Sequence, residues 1–435
     1  MGLLKSIFKT KGLNEVFTPA QNAIINYLDR SKPQSKLEDA IDTPGYQIII
    51  YGNSGCGKSS LLNKVLTNPK KYVLTQCLKG MSFSQVLGKA FQMLGVVVDT
   101  SYSNTFASKI GGAIGKKDVA SVSSEMGTTT SVTAAPLVKP TSDVFMLAQT
   151  LGKQKKIWVI DDFHNLSKTE KEQLANSLKV FVDCSNQYPE TKIICIGATD
   201  DPNELLSYNP NLNVRVRNIR IEDMTDKEIE TIISSGCELL NVRLSQACTK
   251  DIVRFSHHMP AVAHSLCSSI CRKAGIKKTR FKRTIIDDSY LQEAIQEYVE
   301  SNSALFDKIS KAIIEDVSLR EVVLLFIKGD TRSLSPAKIE KSLSRKGYSK
   351  EQVDKAISKL SDPSLSVLRY DEQKQKYFFA DGFIGVYLDF FLELNPVENN
   401  KKDIIMKNID NLNDAYYFIA LSVLKRILST KKDDE

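Results

Sequence analysis

The sequence lacks an apolar run long enough to cross a bilayer, and it has few of the residues that build metal or redox sites. No stretch of about 18 consecutive apolar residues occurs, so we expect no membrane-spanning helix. Only four histidines and one tryptophan are present among 435 residues. The eight cysteines form no CxxC pair, which argues against a zinc or dithiol redox site. Scattered free thiols of this kind are typical of a reducing compartment, and we expect a cytoplasmic protein.

Neither sign of charge dominates the composition. The 59 basic and 51 acidic residues leave a formal net charge of +8, which permits contact with nucleic acid or an acidic membrane without requiring either. The hydrophobic fraction of 42% and the charged fraction of 25% are ordinary for globular proteins and exclude a disordered or fibrous chain. A chain of 435 residues exceeds a single hydrophobic core, so we expect two to four domains.

Short apolar runs alternate with helical patterns between residues 45 and 222. Continuous apolar runs are typical of strands that are buried on both faces, and intervening helices then favour a parallel sheet. The pattern therefore predicts an α/β fold with a three-layer parallel sheet. The strands are expected at residues 47–51, 72–78, 157–160 and 193–196, with helices at residues 60–66 and 83–94.

Two segments differ from this alternating pattern. Residues 101–142 are rich in Ser, Thr and Gly and predict an insertion in the core. Its sequence is compatible with a hairpin around Gly127 or with a flexible surface segment, and both interpretations stay open. Residues 1–44 predict an N-terminal helical segment, with a helix at residues 19–30.

The chain becomes helical after the predicted core. Thr225 and Glu228 have the spacing of a capping box and predict a helix start. Pro260 suits the first turn of a later helix, and Gly275 suits its end. Residues 223–300 are therefore expected to form a helical lid.

The last third of the chain has the pattern of a winged helix, which we place at residues 301–396. Several helices come before two short strands and a closing apolar helix. Residues 397–435 predict a final helix and a lysine-rich tail. The helices are expected at residues 305–317, 320–327, 336–346, 350–360 and 383–394, and the strands at residues 367–370 and 376–379.

A complete phosphate-binding (Walker A) motif follows the first predicted strand and precedes a predicted helix. Glycines in such a loop let main-chain N–H groups face phosphates, and the helix N-terminus adds positive potential. Lys58 is expected to reach the β- and γ-phosphates of ATP, and the Ser59 hydroxyl to bind Mg²⁺. The expected nucleotide-binding residues are Gly52, Asn53, Ser54, Gly55, Cys56, Gly57, Lys58, Ser59 and Ser60.

Two acids end the strand expected at residues 157–160, as in a Walker B motif. Asp161 is expected to hold Mg²⁺, and Asp162 occupies the position where a glutamate usually polarises the attacking water. Aspartate is one methylene shorter, so we expect slow hydrolysis. Ser167 and Glu170 have the spacing of a separate capping box for the next helix. Thr199, after the next strand, is either a sensor of the γ-phosphate or a hydroxyl in a strand-end turn.

Other side chains have two interpretations each. Arg215 and Arg217 act either as an arginine finger in a neighbouring subunit or as solvated surface residues. His164 either orients the catalytic loop or only packs there. Three further histidines lack partners at metal-ligand spacing and predict a helix junction: His257, His258 and His264.

The order of these motifs resembles AAA+/STAND ATPases, and the nearest branch is the origin-recognition-like and archaeal-ATPase-like group. The resemblance covers roughly residues 15–395 and implies ATP binding between core and lid, with a homo-oligomer or a protein partner. Replicative members carry a lid arginine where this chain has Ala261 and Val262. STAND members have a Gly-x-Pro turn, whereas this chain has His258 two residues before Pro260. The pattern favours STAND-like switches.

Two functions from different classes fit these features. The first is a nucleotide-dependent conformational switch in a signalling or defence-type assembly, which would need a separate effector partner. The second is a DNA-binding ATPase, such as a replication initiator or a transposition helper, with a recognition helix at residues 350–360. Basic residues at 277–283 would then grip phosphates, unless that segment is a solvated linker. A metabolic kinase or GTPase is a poor fit, because it needs neither lid nor winged helix.

Overall fold

The computed structural model describes residues 10–96, 140–198, 203–329, 333–372 and 374–396. Most of the predicted insertion, Thr199 and the predicted tail lie outside these ranges. The helices are α1 Leu13–Val16, α2 Ser31–Asp42, α3 Lys58–Val65, α4 Phe83–Met93, α5 Pro140–Lys153, α6 Lys168–Cys184, α7 Asn203–Leu206, α8 Asp226–Leu240, α9 Gln246–Phe255, α10 Pro260–Lys273, α11 Ser289–Glu315, α12 Val317–Ile327, α13 Pro336–Ser344, α14 Lys350–Ser361 and α15 Gly382–Leu394. The strands are β1 Gln47–Tyr51, β2 Tyr72–Gln76, β3 Ile157–Asp161, β4 Ile193–Gly197, β5 Val216–Arg220, β6 Val242–Arg243, β7 Thr284–Ile285, β8 Ser333–Leu334, β9 Leu368–Asp371 and β10 Lys376–Phe379.

The first of two compact units contains the parallel sheet and comprises residues 29–52 and 61–221. Among its described residues the sheet has five strands in the order β2-β3-β4-β1-β5, and every neighbouring pair is parallel. The α/β class and the four predicted strands are therefore confirmed. Strand β5 was not predicted, because it is not a continuous apolar run and only Val216 and Ile219 among its five residues are buried.

The strands are buried on both faces, as their continuous apolar sequences predicted. Ile49, Trp158 and Cys195 belong to the core that the sheet shares with α4, α5 and α6. The alternate residues Ile48 and Val159 are also fully buried, although they point to the opposite face. The indole Nε1–H of Trp158 donates to the Thr75 hydroxyl at 2.8 Å, so the only indole of the chain is buried with its donor satisfied.

The prediction of a helix at residues 19–30 is wrong. The helix in this region is α2, which begins at Ser31 and buries Leu37 and Ala40 beside β1 and β5. Residues 17–30 are not helical. Asn26 is instead fixed by tertiary bonds, since its amide donates to the Ile232 carbonyl at 3.0 Å and accepts from the Ser235 hydroxyl at 2.6 Å. Tertiary packing overrides the local pattern here.

The second unit is mainly helical and comprises residues 10–28, 53–60 and 222–396 of the described chain. Its helices α8, α9 and α10 correspond to the predicted lid. The Thr225 hydroxyl accepts from the Glu228 N–H and the Glu228 carboxylate accepts from the Thr225 N–H, so the predicted capping box is confirmed. Pro260 opens α10 and Gly275, at φ +72°, follows its end, as predicted.

The long helix α11 begins earlier than predicted. We expected a helix at residues 305–317, but α11 begins at Ser289 and is continuous to Glu315, so the expected boundary between residues 300 and 301 falls inside it. Its buried residues, from Leu291 and Ile295 to Ile309 and Ile313, keep helical spacing throughout. The polar segment at residues 300–303 only interrupts the buried face.

The last part of this unit has the predicted order of helices and strands, with one addition. Helices α12, α13 and α14 come before β9 and β10, as predicted. The two-residue strand β8, between α12 and α13, was not predicted, and it completes an antiparallel sheet of order β8-β10-β9. Helix α15 then packs along α11. Tyr387 lies 4.5 Å from Phe306 between ring centroids, and its hydroxyl is 2.9 Å from that of Ser310.

All eight cysteines are buried and none forms a disulfide. Four of them lie in the lid, at Cys237, Cys248, Cys267 and Cys271. Burial raises the pKa of the Cys237, Cys248 and Cys271 thiols to about 12. In the described part of the chain no helix combines the length and apolarity that a membrane crossing requires.

Candidate nucleotide site

The Walker A residues form the loop that joins β1 to α3. Gly55 and Gly57 have φ angles of +73° and +98°, in the left-handed region that favours glycine. Among the described residues, neither of their N–H groups donates a hydrogen bond to a protein acceptor. Loop N–H groups without protein acceptors at the start of a helix suit an anion such as a phosphate. The donors present here therefore fit a phosphate group.

Lys58 is the first residue of α3 and is largely buried, with 9% of its surface exposed. Its Nζ donates to the main-chain oxygen of Asn53 at 2.6 Å, so the ammonium lies over its own loop. The Asn53 amide in turn donates to Asp223 Oδ2 at 2.8 Å. The loop is thus stabilised by one lysine from inside and one carboxylate from the start of the lid.

The two serines that follow Lys58 have different surroundings. The Ser60 hydroxyl accepts a hydrogen bond from the Ala23 N–H at 3.3 Å, so it is engaged by the N-terminal segment. Ser59 is half-buried at the second position of α3. Ser54 is also half-buried, and the Cys56 side chain is fully buried beneath the loop. The predicted role of Ser59 in holding Mg²⁺ stays a prediction.

The predicted Walker B strand ends at the sheet edge where β1 ends. Because the sheet is parallel, Tyr51 at the end of β1 and Asp161 at the end of β3 lie at the same edge, with β4 between them. Two strand spacings correspond to roughly 10 Å. The Asp161 carboxylate accepts from the Asp162 N–H at 2.9 Å, and the Asp161 carbonyl accepts from the Cys77 N–H at 2.9 Å.

Asp162 adopts an unusual backbone conformation for a residue other than glycine. Its φ angle is +57°, in the left-handed region that aspartate tolerates better than most residues. Its Oδ2 accepts from the Gln76 amide at 3.1 Å, and its Oδ1 is 4.0 Å from Nδ1 of His164. The contact of Gln76 with Asp162 was not predicted from the sequence. The position of Gln76 at the end of β2, at the same sheet edge as Asp161, was a signal that could have indicated it. Burial, and secondly the negative charge of Asp162, raise the pKa of the nearby Cys77 thiol to about 12.

His164 connects the loop after β3 to the end of β4. Its Nδ1 accepts from the main-chain N–H of Ala198 at 3.1 Å, so the neutral ring carries its proton on Nε2. Gly197, which precedes Ala198, lies against the buried ring of Phe163. A Cβ on Gly197 would be only 2.5 Å from Phe163 Cε1. Thr199 follows immediately in the sequence but lies outside the described residues, and its role stays a prediction.

The capping box predicted at Ser167 forms only in part. The Ser167 hydroxyl accepts from the Glu170 N–H at 3.4 Å and caps α6. The Glu170 carboxylate, however, accepts from the Phe83 N–H at 2.5 Å instead of bonding back to Ser167. The prediction was wrong in this respect, because the side chain of Glu170, a residue of α6, caps the neighbouring helix α4 instead.

The two candidate arginines have contacts within the chain. Arg215 Nη1 is 4.0 Å from the Asp183 carboxylate, and both side chains are more than half exposed. The Arg217 guanidinium lies 4.0 Å from the ring centroid of Tyr46 and hydrogen-bonds its hydroxyl. Exposed pairs of this kind contribute little to stability, so neither contact decides whether an arginine acts on a neighbouring subunit.

The three lid histidines have separate partners. His257 Nε2 is 2.8 Å from Asp389, His258 Nδ1 is 3.3 Å from Asp226, and His264 Nδ1 accepts from the Thr18 N–H at 3.2 Å. Within the described ranges, no group of three or more histidine, cysteine or acidic residues has the arrangement of a metal site. Burial lowers the pKa of His264 to about 4.

Two apolar side chains, which sequence reasoning did not connect with the phosphate loop, lie against Gly55. A Cβ on Gly55 would be 3.1 Å from Cζ of Phe383 and 3.6 Å from Sδ of Met259. Phe383 belongs to the first turn of α15, and Met259 is the residue before α10. The missing glycine of the Gly-x-Pro turn is at position 258, next to Met259, whereas nothing in the sequence indicated Phe383.

Comparison with known proteins adds a family and several structures. A family model described as an ATPase domain predominantly from Archaea matches residues 27–256, which is more than half of the chain and includes both Walker motifs. A Walker-type ATPase of Pyrococcus abyssi is 14% identical, with 83% of this chain and 96% of that chain covered and a TM-score of 0.48. Cdc6p from Pyrobaculum aerophilum is 12% identical, with coverages of 87% and 98% and a TM-score of 0.41. The ORC1 protein of Aeropyrum pernix, solved in complex with DNA, is 12% identical, with coverages of 88% and 97% and a TM-score of 0.43.

Proposed function

Because this chain belongs to the family of ATPase domains found predominantly in Archaea, we propose that it is a slow ATP-hydrolysing conformational switch. Lys58 neutralises the β- and γ-phosphates, and Ser59 and Asp161 hold Mg²⁺. Asp162 polarises the attacking water, and Thr199 contacts the γ-phosphate. Bound Mg²⁺ supplies neutralisation of the charge that develops on the phosphates. These roles follow from the Walker motifs and from the donors of the phosphate loop.

The contact of Phe383 and Met259 with Gly55 is the observation that supports a switch. A triphosphate on the loop N–H groups would bring negative charge next to an aromatic ring and a thioether. Charge beside apolar groups that exclude water is costly. ATP binding and the Phe383 contact therefore oppose each other, and ATP favours a state in which α15 has left the loop. A ligand that prefers one of two states shifts their populations, which defines a switch.

The state with Phe383 on Gly55 has its own stabilising contacts. Asp389 of α15 is buried and lies 2.8 Å from His257, which is held at a φ angle of +47°. The rings of Phe390 and Phe255 meet edge to face with centroids 5.1 Å apart. These contacts hold α15 against the lid, so its release from the loop would break a defined set of bonds.

Nucleotide affinity of the Phe383→Ala variant tests this proposal. The truncated side chain no longer covers Gly55, so we expect ATP to bind about tenfold more tightly than to the wild type. The matched control is Ile384→Ala, which shortens the next residue of α15; Ile384 is not among the nearest neighbours of a Cβ on Gly55. Equal affinity in wild type and Phe383→Ala would argue against the switch. Titration with a fluorescent ATP analogue gives the affinities.

Slow turnover is the second part of the proposal. The aspartate at position 162 is short, and its Oδ2 accepts from Gln76, so reaching a water near a γ-phosphate requires the loop to move. Release of phosphate from ATP, followed with purified protein, measures this directly. Turnover at the level of vigorous remodelling motors would contradict a slow switch.

The DNA-binding alternative has weaker support from the expected recognition helix. Two of the three lysines on α14 are near acids, since Lys350 lies 4.0 Å from Glu340 and Lys359 lies 3.5 Å from Asp316. A helix that grips phosphates needs cations that are available to them. Turnover measured with and without duplex DNA at two salt concentrations separates the functions: stimulation that fades with salt favours the initiator or helper.

A further inference from the structure

The segment that joins α10 to α11 has a dense positive charge. We name residues 277–285 the basic loop; its sequence is Lys-Lys-Thr-Arg-Phe-Lys-Arg-Thr-Ile. Five of its nine residues are basic, none is acidic, and all five cations are exposed. None of the five forms an ion pair with a described residue. Lys273, four residues earlier, differs in this respect, because it lies within 4.0 Å of both Glu293 and Glu297.

The backbone of the basic loop is fixed from two sides. On one side, Thr279 N–H donates to the Lys11 carbonyl at 2.9 Å, and the Lys277 carbonyl accepts from Leu13 N–H at 2.9 Å. On the other side, Arg280 N–H donates to the Leu240 carbonyl at 2.9 Å. The loop thus presents its cations from a defined conformation, and binding an anionic surface would not require the backbone to be ordered first.

Two large apolar side chains project from the same loop. Phe281 is 100% exposed and Ile285 is 78% exposed. The exposure of Phe281 is not the result of a loose backbone, because the Asn241 amide donates to the carbonyls of Arg280 at 3.0 Å and Phe281 at 3.4 Å. Arg243 pairs in register with Ile285 and is exposed, which adds a cation beside that apolar side chain.

The exposure of these side chains favours lipid over nucleic acid as the partner. Aromatic platforms for bases offer a ring face for stacking. Only one of the two exposed apolar side chains, Phe281, has a ring, and Ile285 offers no face on which a base could stack. Apolar side chains surrounded by cations match the interface of an anionic bilayer, where headgroups meet hydrocarbon.

We propose that the basic loop docks this protein on an anionic lipid surface. Phe281 and Ile285 enter the boundary between headgroups and acyl chains, and the five cations of the loop contact the anionic headgroups. Asp287 and Asp288, which follow the loop, accept hydrogen bonds from Ser289 N–H at 2.9 Å and the Ser245 hydroxyl at 2.6 Å. The proposal does not depend on ATP binding, and neither does its test.

Vesicle sedimentation with the full chain is the experiment. Phosphatidylcholine vesicles with about one-third phosphatidylserine are compared with pure phosphatidylcholine vesicles at low and high salt. We expect binding to the anionic vesicles alone, weakened by salt. Phe281→Ala should lower the partition coefficient at least about fivefold. The double change Lys282→Glu and Arg283→Glu should lower it more than about tenfold.

Matched controls come from the same unit. Leu305→Ala shortens another exposed apolar side chain, at 74% exposure, and Lys355→Glu reverses another exposed lysine. Both should bind vesicles like the wild type. Equal binding to neutral vesicles, or equal losses in Phe281→Ala and Leu305→Ala, would overturn the proposal. Single-stranded oligonucleotide binding that requires Phe281, with no vesicle binding, would overturn it in favour of nucleic acid.

Discussion

The ring nitrogen Nδ1 of His164 accepts a hydrogen bond from the main-chain N–H of Ala198 at 3.1 Å. This bond connects the loop that carries Asp162 to the residue before Thr199. The loop that carries Asp162 is therefore fixed to the end of β4 by one side chain. The interpretation of His164 as an orienting residue gains support over that of a merely packed one.

His164→Ala should reduce ATP turnover about tenfold and leave ATP affinity within about twofold, because it loosens the catalytic loop only. His164→Asn is the control, since its side-chain oxygen can accept from Ala198 where Nδ1 does. We expect His164→Asn to retain most of the turnover. Wild-type turnover in His164→Ala would show that the bond has no part in positioning.

Lys58→Ala should weaken ATP binding at least about 100-fold, because it removes the ammonium that neutralises the phosphates. Lys64→Ala is the control on the same helix; Lys64 pairs with Asp29 at 3.0 Å on the surface. Calorimetric titration with ATP measures both variants. Tight ATP binding by Lys58→Ala would remove the basis for placing the nucleotide on this loop.

Asp162→Asn should lower phosphate release about 100-fold while ATP still binds, because the amide cannot polarise water as a carboxylate does. Asp162→Glu should raise turnover above wild type, since the added methylene brings the carboxylate closer to the γ-phosphate. Single-turnover measurements at saturating ATP separate chemistry from binding. If both variants match the wild type, the general base is another residue.

Gly197→Ala should destabilise the sheet unit by about 2 kcal/mol, because the new Cβ would meet the Phe163 ring at 2.5 Å. Gly88→Ala is an informative comparison within α4, where a Cβ would have no neighbour within 4 Å. That change should stabilise the protein by about 0.5–1 kcal/mol. Urea unfolding of the two variants tests whether the effects have opposite signs.

Acid should destabilise the protein through His264. Burial lowers its pKa from 6.5 to about 4 in the folded chain, so the unfolded chain binds the extra proton between these values. The neutral His264 ring therefore contributes to the free energy of unfolding above pH 6.5, and this contribution is lost as the pH falls from there through the folded pKa. Between pH 7 and pH 5 the free energy of unfolding should decrease by about 2 kcal/mol. In His264→Gln this part of the pH dependence should disappear in urea unfolding curves. An unchanged pH profile would mean that other groups cause it.

Strands β1 to β4 and the cap at Thr225 were predictable because their signals are local. The run at residues 47–51 predicted β1, and the Thr225–Glu228 spacing predicted the start of α8. Residues 19–30 misled because an apparently helical pattern was outweighed by distant bonds, such as that from Asn26 to Ile232. Glu170 likewise bonds to Phe83, 87 residues away, instead of closing its own cap.

The phosphate-loop residues of the candidate site were predictable, but the apolar contact on that loop was not. The Walker A residues predict a phosphate loop because phosphate binding requires these residue types in this order. The contact of Phe383 with Gly55 joins residues 328 positions apart, and no pattern within either segment indicates it. Such a contact depends on how α15 packs, which the sequence specifies only through the whole unit.

Because all eight cysteines are buried and free, they are natural labelling sites for measuring local opening of the protein. A thiol reacts with alkylating reagents as the thiolate, and a buried thiol must first be exposed by a fluctuation. Cys56 would report the opening of the phosphate loop, Cys195 that of the sheet and Cys267 that of the lid. Mass spectrometry of partly alkylated protein, with and without ATP, would therefore rank how readily each region opens without any introduced probe.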